Sequence, residues 1–560
     1  MIISNCFPSS PSSLWFKFRE DLSEDILYNM RRQNPTMTID YNQLIFNQAL
    51  IMIEDLAIQM CGKNLNQLGL PAPERSADDC LNSEVLREST YETAVLEQTI
   101  NDGLPNLVQD QKIAYEGILA AINQEQGGFF FLDAPGGTGK TFLINLILAR
   151  VRLDSKVILA VASSGIAATL LAGGRTAHSM LELPLDISSM ESPLCGISRG
   201  TAKTRLLQQC KAIIWDECTM SHKKSLEALD RTLRDIRRND SLFGGVVILA
   251  GDFRQTLPVI QRSTPADELN ACLKRSPLWQ DVKTFTLSTN MRVHLQGDIQ
   301  AGSFAATLLT IGDGLYPQNP AGRIVLSSSL CNQISTRQEL IDAICPDIER
   351  NISNQDWLRE RAILGPTNEI VDEINDMVQD RLINDVSRTY YSIDQTVDPE
   401  QAVHYPSEFL NSLTPSGVPP HELKLKIGSP VMVLRNLCPP KLCNGTRLCV
   451  RRLDNNRVEA TVLTGPGKGE VVWIPRIPFI PNDHIANFKR TQFPLKLAYG
   501  FTINKSQGQS LKMVGVELSK SCFSHGQLYV ACSRVGSNSN LYIQAPGGET
   551  KNVVYRQALQ

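Results

Sequence analysis

The chain has 560 residues, 42% of them hydrophobic and 20% charged, with a formal net charge of −3. That length implies several domains of ordinary size, and no apolar run approaches the roughly 20 residues a bilayer span requires, which excludes a membrane protein. The near-neutral charge weighs against a histone-like or tail-driven nucleic-acid binder and is silent about a motor that grips DNA in a local groove.

The start of the chain, MIISNCFPSSPSSLW, has no basic segment leading into a long apolar core, so it does not read as a secretory signal and the protein is expected inside the cell. The 14 cysteines include no C-x-x-C pair, which suits reduced thiols better than a disulfide framework or a structural zinc. Cys438, Cys443 and Cys449 are the nearest approach to a cluster.

Residues 1–70 carry mixed helical periodicity. Leu44, Ile45, Ala49, Leu50, Ile53 and Leu56 would line one helix face. PAPERSADD from Pro71 reads as a linker. From Leu107 to Leu287 strand-like runs alternate with helical ones (FFFL, KVILAVA, AIIWDE, VVILAGD, TFTLST), which implies a largely parallel sheet covered by helices, with ligands at the carboxyl ends of its strands.

The strand run FFFL empties into APGGTGKT at 134–141, the layout of a P-loop. In such a loop, which runs Pro135-Gly136-Gly137-Thr138-Gly139, the backbone N–H groups from Gly136 onward wrap phosphate oxygens. Lys140 reaches the outer phosphates and the Thr141 hydroxyl serves Mg²⁺. Gly136, Gly137 and Gly139 are expected to supply positive φ and close approach. Ala134 stands where a glycine is usual and would resist a left-handed backbone by about 1–2 kcal/mol. The following helix, FLINLILARV, is apolar nearly all round and should be buried. A nucleoside triphosphate is the implied ligand.

Downstream, Asp216 and Glu217 end an apolar strand. They read as a metal-holding carboxylate and the base that orients or deprotonates the attacking water. In GDFRQTLPVI, Gln255 is placed to sense a terminal phosphate, whereas the basic run Arg231 to Arg238 reads as a solvated helix face. A second alternation begins near Arg361 and resumes at LKLAYGFTINKSQGQS, with VGVEL, GQLYVACSRV and NLYIQ. Between them, from about Asp385 to Asn487, short β-like runs and turn signals such as Asn444-Gly445 read as a small β-rich insertion.

At GDFRQTLPVI the pattern resembles the petite-integration-frequency (PIF) helicases, superfamily one type B, and within them the members carried by Helitron transposons. The resemblance runs from about Leu104 onward, and the segment holding LWFKFREDLSEDIL is similar to what precedes the motor in Helitron-type members. It implies two RecA-like α/β domains with parallel sheets, at 101–287 and at 288–384 with 488–560, an SH3-like insertion at 385–487, and a helical segment with linker at 1–100. It implies that Gln111 reads adenine, that Thr176 and His178 contact DNA, and that Arg292 and Arg534 converge on the γ-phosphate from the second domain. By the same resemblance Lys505, Ser506 and Gln507 link nucleotide to DNA. Without it, Gln111 would read as a helix cap, Thr176 and His178 as buried or capping residues, and the arginines as surface residues. Cys218 replaces the family's more frequent alanine, and Ser510 a threonine.

The implied activity is ATP-dependent, Mg²⁺-requiring, 5′ to 3′ unwinding by a monomer or DNA-induced dimer. Its substrates are single-stranded DNA and forked or tailed duplexes, in repair, recombination, telomere maintenance or transposition, with a nuclear location in a eukaryote. A nucleotide-gated DNA-binding module without unwinding activity is the alternative, and an RNA-directed motor a third reading. None of the seven histidines forms a His-x-His pair, so this chain alone is not expected to cut DNA.

Overall fold

The computed structural model describes residues 10–33, 40–61, 63–74, 85, 88, 91–124, 127–260, 264–291, 299–382, 386–398, 404–481 and 487–560. The linker read at PAPERSADD lies partly outside these residues, and Arg292 lies outside them altogether.

The first lobe is a six-stranded sheet: β1 (Gly128–Asp133), β2 (Ile158–Ala162), β3 (Arg175–Thr176), β4 (Ala212–Asp216), β5 (Val246–Gly251) and β6 (Lys283–Thr286). Every pairing is parallel, in the order β3-β2-β4-β5-β1-β6. A parallel sheet needs both faces covered, which is why its strands read as continuous apolar runs. Alternation sends Phe129 and Phe131 into one core with Trp215 and Leu249, while Phe130 and Leu132 enter the opposite one with Ile214 and Ile248. Each such buried side chain contributes about 1.5–3 kcal/mol. The helix Lys140–Leu153 buries Leu143, Ile144, Leu146, Ile147 and Leu148 in the second of these cores, as its all-round apolar pattern predicts.

Register fixes where the chemistry emerges. Asp133 of β1 stands beside Gly251 of β5, and Ala162 of β2 beside Asp216 of β4, so the P-loop, the acidic pair and the Gln255 loop all leave one edge.

The second lobe is also parallel, in the order Gly500–Thr502, Arg361–Gly365, Met513–Glu517, Leu541–Gln544, Asn332–Ile334. Between its strands lies an antiparallel insertion whose largest sheet runs Val471–Pro475, Arg457–Val462, Arg447–Leu453, Pro430–Val433, Leu495–Leu497. The last strand differs from the sequence reading, which ends the insertion near Asn487 and gives LKL to the parallel sheet; Leu495 pairs with Val433 instead. A three-residue strand with two of its residues partly exposed carries no signal for which sheet it joins.

The insertion is tied firmly to the second lobe. Arg447 is 1% exposed, and its guanidinium donates to the carbonyls of Leu358, Arg359, Arg361 and Ala498. Burial pushes it down to about 10. Beside it, the Tyr499 hydroxyl and Ser429 Oγ both donate to Gln379 Oε1. At its other end the insertion touches the first lobe: Asn436 Nδ2 donates to Thr176 Oγ1 at 3.5 Å, and a side chain on Gly165 would collide with the Asn444 carbonyl.

Two sequence expectations are corrected here. In the helix Gln43–Cys61, Ile45, Ala49 and Leu50 are buried as expected, but Leu44 is 68% exposed. The Arg231 to Arg238 run is not simply solvated. Arg237 donates to the carbonyls of Leu207, Cys210, Phe243 and Gly244, holding the end of its helix to the sheet edge.

Candidate nucleotide site at the seam between the lobes

The P-loop leaves β1 with Ala134 fully buried in the core and its N–H on the Gly251 carbonyl. Ala134 is not among the positive-φ residues, so the left-handed cost anticipated from sequence does not arise. Nor is Gly136. The left-handed residues are Gly137 at φ 90° and Gly139 at φ 77°. At Gly139 a second constraint acts, since a Cβ there would lie 2.6 Å from Gln111 Nε2.

Gln111 is fully buried and braces the loop, its Nε2 donating to the Thr138 carbonyl at 2.8 Å while its Oε1 accepts from Val108 N–H. Asp110, its neighbour, accepts from the backbone of Ser288 and Thr289. These bonds outweigh partial burial and hold its carboxyl below the usual range. The Ser288–Met291 segment is thereby laid against the loop: Met291 N–H reaches the Gly137 carbonyl, and Asn290 lies over Gly137. This segment leads directly into Arg292.

Lys140 Nζ sits 2.6 Å from Asp216 Oδ1 and 2.7 Å from Glu217 Oε1. Burial opposes the charge, but the two carboxylates prevail and hold the ammonium above its ordinary range. Glu217 takes a left-handed backbone at φ 49°, a strained geometry of the kind that collects at functional sites. Its Oε2 is buried without a hydrogen-bond partner. An orphaned Glu217 carboxylate oxygen and the adjoining Asp216 carboxylate, both gathered at Lys140 with Thr141 next to it in the chain, are hard-oxygen groups that fit Mg²⁺ and its waters.

The second lobe covers this edge. Gln255 is buried, and its Oε1 accepts from Gln507 Nε2 at 3.3 Å, while Gln507 Oε1 accepts from Thr256 Oγ1 at 2.7 Å. Ser506 donates inward to the Ile503 carbonyl. Ser506 and Gln507, both expected at DNA, are thus buried, Gln507 in the contact between the lobes and Ser506 within its own lobe. Lys505 remains partly exposed, and burial with Lys496 nearby pushes its amine down to about 8.

Arg534 departs from the expected picture. It is 5% exposed, and its guanidinium donates to the carbonyls of Val530, Ser506 and Gln509 and to Ser533 Oγ. Ser533 itself approaches the P-loop, its Cβ 3.8 Å from where a side chain on Gly136 would begin. Thr176 caps the helix Ala177–Leu181 through the Ser179 N–H, and His178 on that helix is exposed.

Sequence reasoning passed over Asp252, Arg254 and Tyr529. The Tyr529 hydroxyl donates to Asp252 Oδ2 at 2.8 Å and accepts from Gly136 N–H at 3.4 Å. Burial pushes the Asp252 carboxyl up to about 6 against the pull of Arg254, which also pairs with Asp313. The signals were the Asp in GDFRQ and the Tyr in GQLYVACSRV, each read only for its neighbours.

Comparison with known proteins agrees with this arrangement. The family PIF1-like helicase matches residues 106–321, and the family DNA helicase Pif1, 2B domain matches residues 408–453 within the insertion. The ATP-dependent DNA helicase PIF1 of Danio rerio is 28% identical over 441 residues, which cover 77% of this chain and 61% of that protein. The ATP-dependent DNA helicase Pif1 of Psychrobacter sp. is 26% identical over 73% of this chain and 65% of its own length. The chain therefore spans under two thirds of the length of these two relatives. Among solved structures, Pif1 helicase from Candida albicans superposes with a TM-score of 0.58 at 24% identity, covering 81% of this chain and 97% of that one. Bacteroides Pif1 in complex with ADP-AlF3 and ssDNA does so with 0.56 at 22%, covering 80% and 94%. Both share the fold. Among the described residues no helix is long and apolar enough to cross a membrane.

Proposed function

From the match to PIF1-like helicases and the geometry at the seam, we propose that this chain is a member of that family and an ATP-dependent DNA helicase. It moves along single-stranded DNA and opens forked or tailed duplexes, 5′ to 3′. The observation that carries the reading is Lys140 held between Asp216 and Glu217 at the strand edge where Gln255 meets Gln507 of the opposite lobe.

Lys140 would exchange its two carboxylates for the outer phosphates of ATP. That exchange frees Glu217 to accept a proton from water and Asp216 to hold Mg²⁺ with Thr141. Mg²⁺ bound there would supply charge neutralisation for the phosphates. Gln111 would read the adenine edge while bracing the loop, Gln255 would sense the terminal phosphate, and Arg292 and Arg534 would stabilise the charge that develops on it. Arginines in this role contribute on the order of 10³–10⁵ in rate. In the structure Arg534 is engaged on backbone carbonyls, so closure of the lobes must re-aim it. The grip on DNA falls to Thr176, His178 and Lys505, with the buried Ser506 and Gln507 linking that grip to the nucleotide, and sequence-tolerant contacts suit translocation.

On this reading the first motor domain is 101–287, the insertion begins at 385 and runs past 487 to about 497 with its last strand, and the second motor domain is 288–384 with the residues from about 498 to 560. The protein acts as a monomer or DNA-induced dimer inside the cell, in the nucleus of a eukaryotic host. It serves repair, recombination, telomere maintenance or transposition.

Purified protein is expected to hydrolyse ATP with strong stimulation by single strands, and Lys140→Ala or Glu217→Gln abolishes this. Unwinding of 5′-tailed but not 3′-tailed duplexes completes the test, with RNA strands as the comparison. Absence of stimulation in the wild type, or tight ATP-dependent DNA binding without strand separation, would refute the helicase reading.

A further inference from the structure

Tyr529 comes from the second lobe, yet its hydroxyl lies wholly among first-lobe groups. It is 2% exposed, donates to Asp252 Oδ2 at 2.8 Å and receives the Gly136 N–H at 3.4 Å. Its ring is wedged where no side chain could stand on Gly312, whose Cβ would lie 3.0 Å from Tyr529 Cδ2 and 2.9 Å from Arg254 Cδ. Arg254 continues the network back to the second lobe by donating to Asp313 Oδ1 at 2.7 Å. Gly136 lies at the start of the phosphate-wrapping loop, on the side that faces Ser533 and Tyr529 of the second lobe.

In a P-loop the backbone N–H groups exist to be taken by phosphate oxygens. Here one of them is already taken, by a hydroxyl oxygen carried on the opposing lobe. A phosphate oxygen is the stronger acceptor, because hydrogen bonds to charged groups exceed neutral ones. Once displaced, the hydroxyl still has Asp252 to donate to, so it can give up Gly136 without being stranded.

We infer that the Tyr529 hydroxyl is a positioning group that stands in for the outer phosphate on Gly136 N–H and is displaced by it, so that phosphate arrival is transmitted along its helix to Ser533 and Arg534, which directly follow it. This rests on the nucleotide-binding reading and adds to it a residue that distinguishes triphosphate from diphosphate. Tyr529 lies in the helix Gln527–Cys532, next to Val530, so a shift of its ring moves the backbone that now holds Arg534 on the Val530 carbonyl.

The test is equilibrium binding of fluorescent ADP and of a fluorescent non-hydrolysable ATP analogue to the full chain, wild type against Tyr529→Phe. Loss of a competing hydrogen bond should tighten the triphosphate analogue by about two- to tenfold and leave ADP within about twofold. By reciprocity, the change in single-strand affinity that the analogue produces should shrink in the variant. Asp252→Asn, which keeps the hydroxyl and leaves it an amide oxygen to donate to, should retain the wild-type ratio of the two affinities. The inference is overturned if Tyr529→Phe moves both nucleotides by the same factor or moves neither, or if Asp252→Asn reproduces its effect. Should the Phe variant fail to fold, the wild type still decides through the Gly136 amide resonance. That resonance must shift with the triphosphate analogue and not with ADP; equal shifts refute the inference. A wild type that binds neither nucleotide would instead remove the functional reading itself.

Discussion

Replacing Gly139 by alanine should damage the protein far more than the same change three residues earlier at Gly136, although both glycines lie in the same phosphate loop. At Gly139 the backbone stands at φ 77°, which costs an L-residue about 1–2 kcal/mol. The added Cβ would also begin 2.6 Å from Gln111 Nε2 and 3.2 Å from Met291 Cγ. Gln111 must then withdraw from the Thr138 carbonyl, and a buried amide left without its partner costs about 1–3 kcal/mol. The two effects sum to about 2–5 kcal/mol. For a lobe of this size each kcal/mol is worth about 2–4 °C, so the melting transition of Gly139→Ala should fall by at least about 4 °C. At Gly136, φ is not positive and the nearest atom to a new Cβ is 3.8 Å away, an ordinary contact. There the change should stay within about 0.5 kcal/mol, as for a substitution that touches nothing. Differential scanning calorimetry of the two variants reads this directly. Equal shifts, or a larger one at Gly136, would refute the claim that Gln111 and the left-handed turn together dictate glycine at 139.

Four further outcomes follow from the geometry. Since Lys505 is held down to about 8, single-strand affinity should drop about tenfold between pH 7 and pH 9 as its charge is lost, and Lys505→Arg should flatten that dependence; fluorescence anisotropy across pH decides. Asp252, raised from about 3.9 unfolded to about 6, favours the native state at acid pH. That contribution disappears as pH climbs through 6, leaving a penalty of about 3 kcal/mol at neutrality. Asp252→Asn should therefore raise the melting temperature more at pH 7.5 than at pH 5, and a larger gain at pH 5 would contradict the sign. Arg447→Met leaves the Leu358 and Ala498 carbonyls without their buried donor and should cost at least about 2 kcal/mol, seen as earlier proteolysis between insertion and second lobe. Gly165→Ala pushes on the Asn444 carbonyl and should speed hydrogen exchange around residues 436–446 while leaving the P-loop helix protected.

The phosphate loop, the acidic pair and both parallel sheets were legible in the sequence because each is encoded locally, by a glycine-rich turn after an apolar run or by carboxylates at the end of one. What one lobe does to the other is not encoded locally. Nothing in TINKSQGQS announces that Gln507 would be buried against Gln255 and Thr256, and nothing in GQLYVACSRV separates a tyrosine that packs in its own core from one that reaches across to Gly136. Arg534 illustrates the same limit, because its motif predicts the residue's neighbourhood and not the carbonyls that occupy it here. Leu495–Leu497 was misplaced for a plainer reason, being too short for its alternation to name a sheet. Ala134 was assigned a backbone cost on the premise of a left-handed conformation that the loop does not adopt at that position.

The insertion behaves mechanically as a cantilever. Its root is clamped by Arg447 and Gln379, and its far end rests on the helix Gly165–Leu170 and on Thr176 of the opposite lobe. A hinge motion at the nucleotide seam is therefore carried along the arm, and the gap it opens or shuts lies beside Thr176, the residue proposed to hold the strand. A beam fixed at one end and free to lift at the other delivers the displacement made by chemistry to the place where the strand would lie.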